Sequence, residues 1–485
     1  MAPSDVLSSA NCKTVLLPTC MTVLLLALCG CQGLSNSTTT SPGTATLQSS
    51  VNHIVFMAQE NRSFDTYFGQ LPAYWAANGY PSQQFDGLPT NASNPSYSGT
   101  GTVAAYHLGT ECFENLSPSW NESHLDFNLN APTSTTATMD GFVYNAASFS
   151  ISSGYTIDTA GIRAMGYYDW TDLPFYYYMA SNFATSDRWF SPALDRTQVN
   201  RLYLFAATSH GYAYEPGFDA ADAAPLPTTV PTIFDALQAA GISWKIYATD
   251  MDCGADSSTP VPCTYLTQFA KYASGDLPAN VVPATQFLTD AQNGQLPSVA
   301  LIEGGYNSGL DEHPDNNVQT GSAYVESLVN GFMSSPSWSD SIFILTYDEA
   351  GGLYDHVAPQ ATVNPDGIAP VDLLPDDVCN PLPSGASNCD FNYTGFRTPL
   401  LVISPFTKKN YVSHTVADYT AILKLIETRF NVPSLTQRDA AQMDMTEFFD
   451  FQNVPWATPP SPAGIPNQPT NGTCNYQTLQ TATAQ

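Results

Sequence analysis

The chain has 485 residues, 43% of them hydrophobic and 12% aromatic, enough for one large domain or two ordinary ones and too apolar for a disordered acidic chain. Its 43 Asp and Glu against 14 Lys and Arg give a net charge of −29, which argues against non-specific binding to nucleic acid or to anionic membrane, since both need a basic surface. Such a surface repels itself least when pH falls, so tolerance of mildly acidic surroundings is expected.

From the N-terminus, Lys13 is followed by the apolar run "VLLPTCMTVLLLALCGC". It is short for a spanning helix and Pro18 interrupts it, so residues 1–30 read as a secretory signal. "LCGC" ending at Cys31 resembles a bacterial lipobox, with Cys31 as the lipidated residue; a plain signal with chance cysteines is the alternative. The Ser/Thr-rich stretch 31–50 suits a flexible tether. The expectation is an exported protein, whether extracellular, periplasmic or peripherally anchored to a membrane through Cys31.

The folded domain is expected over residues 51–451. β-like runs follow in order: "HIVFMAQ" (53–59), "ISWKIYA" (242–248), "PSVALIE" (297–303), "SIFILTYDE" (341–349) and "TPLLVISP" (398–405). They are short and apolar on both faces, and several turn polar at the C-terminal end, as buried parallel strands do. Helical patterns lie between them at 232–241, 322–335 and 415–430, the last with apolar Val416, Tyr419, Ile422, Leu423, Ile426 and Phe430 at helical spacing. This alternation predicts an α/β domain, doubly wound about a mostly parallel sheet with helices on both faces. Residues 70–165, rich in Gly, Ser, Thr, Asn and Tyr, predict a long irregular insertion over the active face, and 452–485 an extended tail. In an exported protein, Cys253/Cys263 and Cys379/Cys389, each ten apart, read as local disulfides, leaving Cys112 to pair with Cys474.

The first strand runs into Glu60-Asn61, and "IFILTY" into Asp348-Glu349. Carboxylates and an amide oxygen at one sheet edge suit a hard divalent cation, Mg²⁺, Ca²⁺ or Mn²⁺. Taken alone, each pair reads equally well as a helix cap or a solvated loop.

Six blocks carry more: "QENRSFDTYFG" (59–69), "MDGF" (139–142), "MGYYDWTDLPFYYYMASNFATSDRWF" (165–190), "NRLYLFAATSHG" (200–211), "YDEAGGLYDHVAP" (347–359) and "LLVISPF" (400–406). In this order they resemble the bacterial and fungal phosphoesterase family of non-zinc phospholipases C and Francisella-type acid phosphatases, which resembles the alkaline phosphatase superfamily in fold. The resemblance implies Glu60, Asn61, Asp348 and Glu349 as metal ligands. It implies Thr197, in "DRTQVNR", as the nucleophile, itself in contact with the metal. A threonine hydroxyl is a poor nucleophile until a cation lowers its pKa; a helix cap or surface hydroxyl is the bland alternative.

His107 and His313 resemble the family's active-site histidines, and His356 follows the second ligand pair closely, with Asp355 to orient it or to cap a helix. Each histidine is a candidate proton donor to a leaving alkoxide, or else a satisfied structural residue. His53 reads as a packing residue and His414 as a helix start. Family members often carry "HSW" ahead of a second histidine, whereas this chain has Pro118 at the first of those histidines and His124 at the second. The stretch "DLPFYYYMASNF" reads as a packed helix or as the lining of a lipid cleft.

The implied function is hydrolysis of a phosphate ester, of phospholipase C type on a phospholipid, or as an acid phosphatase on small monoesters. A binding protein on an inactive enzyme fold is the reading from another class; it requires loss of the quartet or the nucleophile, and all five residues are present.

Overall fold

The computed structural model describes residues 45–216, 224–253, 260–274 and 277–479. The signal-like run, Cys31 and most of the Ser/Thr tether lie outside them. Among the described residues no helix is long and apolar enough to cross a membrane.

Eight strands form the central sheet: β1 (His53–Gln59), β2 (Ala184–Ser186), β3 (Trp244–Ala248), β4 (Val281–Pro283), β5 (Val299–Glu303), β6 (Ser341–Tyr347), β7 (Leu400–Ile403) and β8 (Tyr411–Ser413). Their order is β8-β2-β7-β6-β1-β5-β3-β4. β1 lies between β5 and β6, parallel to both, and β3 and β4 continue the parallel half. β7 runs antiparallel to β6 and to β2. The sequence pattern of β7 reads as a parallel strand, but an apolar run reports burial on both faces and is silent on direction.

Both faces of the sheet are covered. Ile54, Phe56 and Ala58 pack with α6 (Thr197–Ala206), α7 (Ile233–Ala240) and α10 (Thr420–Phe430). Val55 and Met57 point the other way, into a layer with α1 (Phe64–Phe68), α5 (Pro174–Asn182), α8 (Thr285–Gln292) and α9 (Val318–Met333). The alternation follows from the two-residue period of a strand, and β1 needs apolar side chains throughout because neither side meets water.

The insertion after β1 is more regular than its composition predicts. It holds α2 (Leu71–Asn78), α3 (Trp120–Phe127) and α4 (Phe142–Ser153). α9 begins four residues before the predicted point, where Asn317 accepts from the amides of Gln319 and Thr320. α10 begins five residues late. Ala417-Asp418 pair instead with Trp189-Phe190, and Asp418 Oδ1 accepts from the Thr420 amide at 2.8 Å. Val416, assigned by its spacing to the buried face, is therefore exposed, and His414 precedes no helix but holds Asp187 at 2.9 Å. The Tyr-rich stretch is α5; Phe175, Tyr176 and Tyr177 are buried in it, so it is a packed helix and not a lipid cleft.

Two buried polar assemblies fasten the loops to this frame. Glu312 Oε1 accepts from Tyr176 at 2.5 Å and Gln59 at 3.2 Å, and Oε2 from Tyr67 at 2.6 Å and Tyr347 at 2.8 Å. These partners come from α5, β1, α1 and β6, so one carboxylate ties four elements together. The second is centred on buried Arg397, which donates to Asp355 at 2.8 Å and Asp65 at 3.0 Å. His356 stands beside it, with Nδ1 2.7 Å from Asp65 and Nε2 3.0 Å from Asp86. Three disulfides, Cys112–Cys474, Cys253–Cys263 and Cys379–Cys389, complete the frame.

Burial by itself would lower the pKa of His356, but Asp65 and then Asp355 outweigh it and raise it from 6.5 to about 9. A raised folded-state pKa stabilises the fold fully below 6.5, and the contribution disappears as pH rises through about 9. Thermal unfolding is expected to show the melting temperature falling across that window, with H356Q flattening part of the fall; an unchanged slope in H356Q would contradict the assignment. The C112S/C474S pair is expected to cost about 2–4 kcal/mol in denaturant unfolding, because the bond closes a very long loop.

Candidate active site

β1, β5 and β6 end side by side: Ala58 is in register with Glu303, and Gln59 with Tyr347. Beyond these ends the chain turns polar, delivering Glu60-Asn61 from β1 and Asp348-Glu349 from β6 to one edge, the usual place for a site in an open α/β sheet. Asn61 adopts a left-handed conformation, φ 58°. Its amide donates to Asp348 Oδ1 at 2.9 Å, and the Glu349 amide donates to the same oxygen at 2.8 Å. Gly351 lies so close that a Cβ there would stand 2.4 Å from the Asn61 carbonyl oxygen, at a φ of 69° that also favours glycine.

α6 brings the hydroxyl. Thr197 is its first residue, and no side chain caps the helix. Thr197 Oγ1 lies 3.2 Å from Glu60 Oε2 and 3.3 Å from Asn61 Oδ1. One turn on, and so on the same face of the helix, Arg201 donates to Glu60 Oε1 at 2.7 Å and to the Ala58 carbonyl at 2.9 Å. Tyr265 OH donates to Glu60 Oε1 at 3.1 Å. His313 enters from the loop after β5, its Nε2 3.8 Å from Glu60 Oε2 and its Nδ1 2.7 Å from Asp311. Arg62 holds that loop by donating to the Glu312 carbonyl at 2.8 Å and to that of His313 at 3.2 Å.

The carboxylates are crowded. Burial disfavours ionised Glu60, but Arg201 and His313 prevail and hold it at about 2. Burial, then Glu60 and Glu349, push Asp348 well above the usual range, and burial followed by Glu60 does the same to Glu349. Asp348 Oδ2 and Glu349 Oε1 are buried with no hydrogen-bond partner. Buried acceptors without donors, where three carboxylates and an amide oxygen meet one guanidinium and one imidazole, fit a hard divalent cation. For His313, burial opposes the charge, while Asp311 and Glu60 raise its pKa to about 9, leaving it a proton donor at neutral pH.

These residues open on a cleft of about 540 Å³ lined by Glu60, Asn61, Thr197, His313, Glu303 and Tyr265 among others. Leu116, Ser117, Pro118 and Ser119 from the insertion form part of the wall, so position 118 does face the cleft, flanked by two serine hydroxyls. Asn61 is 3% exposed, so the formal glycosylation signal at Asn61-Arg62-Ser63 is hidden.

Thus the fold brings together Glu60, Asn61, Asp348, Glu349, Thr197 and His313. It leaves the other candidates elsewhere. His107 pairs with Asp172 at 2.7 Å and does not line the cleft. His356 and Asp355 belong to the Arg397 assembly, where Asp355 faces the guanidinium and accepts from the Val357 amide instead of orienting a catalytic ring. His124 is buried against Trp120, with Nδ1 2.7 Å from the Trp120 carbonyl, and His53 lies 2.8 Å from the Pro297 carbonyl. Arg201, Tyr265, Asp311 and Glu303 were not singled out in the sequence. Arg201 left a signal there, four residues after Thr197 on a helix, as did Asp311, two residues before His313, and Glu303, the polar end of a predicted strand; Tyr265 meets the site through tertiary contacts alone.

Comparison with known proteins gives the family. Phospholipase C B of Mycobacterium tuberculosis is 31% identical over 452 residues, covering 85% of this chain and 79% of its own. Non-specific phospholipase C1 of Arabidopsis thaliana is 28% identical, covering 84% and 73%, and a non-hemolytic phospholipase C of Burkholderia pseudomallei is 28% identical, covering 85% and 61%. A solved Vibrio parahaemolyticus protein of the alkaline phosphatase superfamily aligns over 77% of this chain and 78% of its own at 13% identity, but its TM-score of 0.31 is too low to carry an argument. Residues 51–433 match the Phosphoesterase family; the chain belongs to that family and is a hydrolase acting on phosphate esters.

Proposed function

We propose that this protein cleaves phosphodiesters in the manner of a phospholipase C, with Thr197 as the nucleophile. The observation that carries the reading is the Thr197 hydroxyl, 7% exposed on the cleft wall and within 3.3 Å of both Glu60 and Asn61. The named phospholipases C among its relatives support the diester as substrate.

Glu60, Asn61, Asp348 and Glu349, with Thr197, would hold a divalent cation, Mg²⁺, Ca²⁺ or Mn²⁺. Its positive charge lowers the pKa of the neighbouring hydroxyl and offsets the negative phosphoryl oxygens. Arg201 donates to Glu60 Oε1 at 2.7 Å and keeps that carboxylate ionised beside the hydroxyl. The Thr197 proton passes to solvent once, before the first turnover, and ionised Thr197 Oγ attacks phosphorus in line. As the Oγ–P bond forms, the P–O bond to the lipid alcohol breaks, and His313 gives its proton to the departing oxygen. Asp311 keeps the imidazole ring oriented throughout. Neutral His313 then takes a proton from water, which attacks phosphorus and releases the phosphorylated head group, leaving Thr197 ionised again. The free amides in the first turn of α6 are suited to equatorial oxygens in both steps. On a phospholipid the products are a diacylglycerol and a phosphorylated head group.

T197A is expected to lower kcat by at least about a thousandfold while T197S keeps measurable turnover; an active T197A enzyme would sink the assignment. Dialysis against chelator should abolish hydrolysis, and one of Mg²⁺, Ca²⁺ or Mn²⁺ should restore it, with calorimetric binding of that ion weakened in D348N. Bis(p-nitrophenyl) phosphate should be cleaved with higher kcat/KM than p-nitrophenyl phosphate across pH 4–8. The reverse preference, strongest in acid, would make the protein an acid phosphatase.

A further inference from the structure

The wall of the cleft continues outward onto α4. From Phe142 to Ile157 the chain reads "FVYNAASFSISSGYTI" and carries no charge, although 43 residues of the protein are acidic. One face of α4 is buried through Phe142, Val143, Ala146, Ala147 and Ser150. A surface helix ordinarily turns charged residues outward from such a face. Here the outward residues include Tyr144 and Ile151, two turns apart and both exposed, and Tyr97 packs on the Tyr144 ring at 5.4 Å. Phe149 lines the cleft, and Tyr155 meets its ring edge-on at 5.9 Å. The Ile157 amide is held by the Glu114 carboxylate at 3.1 Å, and the residue after Glu114, Asn115, is again cleft wall. Across the cleft Tyr306 stands against the His313 ring at 5.2 Å. Burial, and after it the Asp315 carboxylate, raises the pKa of Tyr155, Tyr306 and Tyr476 alike, so three phenols gather about one residue. Ile151 is 55% exposed, Ile157 44% and Tyr306 65%. Single exposed apolar residues are ordinary, but a contiguous group at the rim of a cleft marks a contact surface.

We propose that the exposed face of α4, continued by Tyr155 and Ile157, rests on a zwitterionic lipid surface, so that the cleft opens onto the bilayer. The inference rests on the diester reading above and names the surface on which that substrate is met. Continuity with the cleft through Phe149 points to lipid as the occupant. A phospholipid can then keep its acyl chains in the bilayer while its phosphate reaches Thr197. The mixture of residues agrees. Tyrosine rings settle at the level of the head groups with their hydroxyls wet, and Ile151 and Ile157 are free to enter the acyl boundary. Charge selects the kind of lipid. No lysine or arginine stands between Phe142 and Ile157, while Glu114 and Asp315 flank the patch, so attraction is apolar and an anionic leaflet is repelled.

The test uses the full chain and two readouts that a tether at the N-terminus would not produce. In chelator, to stop turnover, phosphatidylcholine vesicles should slow amide hydrogen exchange over residues 148–157 by at least about tenfold, and phosphatidylglycerol vesicles should not. With the divalent ion restored, I151D/I157D should lose at least about tenfold in kcat/KM on phosphatidylcholine vesicles, and I151S/I157S a smaller factor. Both variants should keep the wild-type kcat/KM on soluble bis(p-nitrophenyl) phosphate. Unchanged exchange with phosphatidylcholine, or equal losses on vesicles and on the soluble diester in I151S/I157S, overturns the proposal. So does protection by phosphatidylglycerol alone that salt removes. Protection that grows with protein concentration in the absence of lipid also overturns it, because the face would then meet a second copy of the chain. Failure of the diester reading appears separately, as preference for p-nitrophenyl phosphate in a protein whose residues 148–157 are still protected by phosphatidylcholine.

Discussion

The site depends on one buried ion pair. Arg201 reaches from α6 to the end of β1, where it meets the Glu60 carboxylate and the Ala58 carbonyl together. Thr197 sits one turn earlier on the same helix, so the contact that neutralises Glu60 also sets the distance between hydroxyl and carboxylate. Burying a charge of either sign is expensive, and removing one partner of such a pair costs about 3–5 kcal/mol because the other is left uncompensated. The pair therefore couples folding to the placement of the Thr197 hydroxyl. If α6 were displaced from β1, Glu60 would lose its counter-charge and Thr197 its acceptors in the same movement.

A second carboxylate does the corresponding work for His313. Glu312 has donors from four elements, and the residue after it is His313. Because the Glu312 and His313 carbonyls are also held by Arg62, the backbone that carries the imidazole is fixed on both sides. The contrast between the two glutamates is instructive. Glu60 has its charge met by a guanidinium and stays strongly acidic, whereas Glu312 is surrounded by phenols, and burial raises its pKa despite them. One stands ionised beside the Thr197 hydroxyl, and the other is a fastening.

What could be read from the sequence follows from how local the information is. Buried strands ending in polar pairs announce themselves, because apolar runs and the residues after them are contiguous; β1 and β6 with Glu60-Asn61 and Asp348-Glu349 were legible in this way. Thr197 was legible only through the resemblance of its surroundings to a known family. His356 and His107 were misleading for a physical reason. His107 was singled out by its resemblance to a family histidine and His356 by closely following the second ligand pair, yet Asp65, Asp86 and Arg397, which claim His356, come from distant segments, as Asp172 does for His107. The direction of β7 and the late start of α10 were hidden for the same reason, being decided by pairing partners and by the Asp418 cap.

The Cys112–Cys474 bond joins residues 362 apart. Cys474 follows Cys112 by 362 residues, so Cys112 has no partner until that length of chain has been made. During that interval four other cysteines of the domain become available to it, and six cysteines allow fifteen pairings. The two local bonds, between cysteines ten residues apart, lower this hazard by closing early and withdrawing those four thiols. With the two short loops closed, Cys112 and Cys474 are the remaining pair among the six cysteines of the domain.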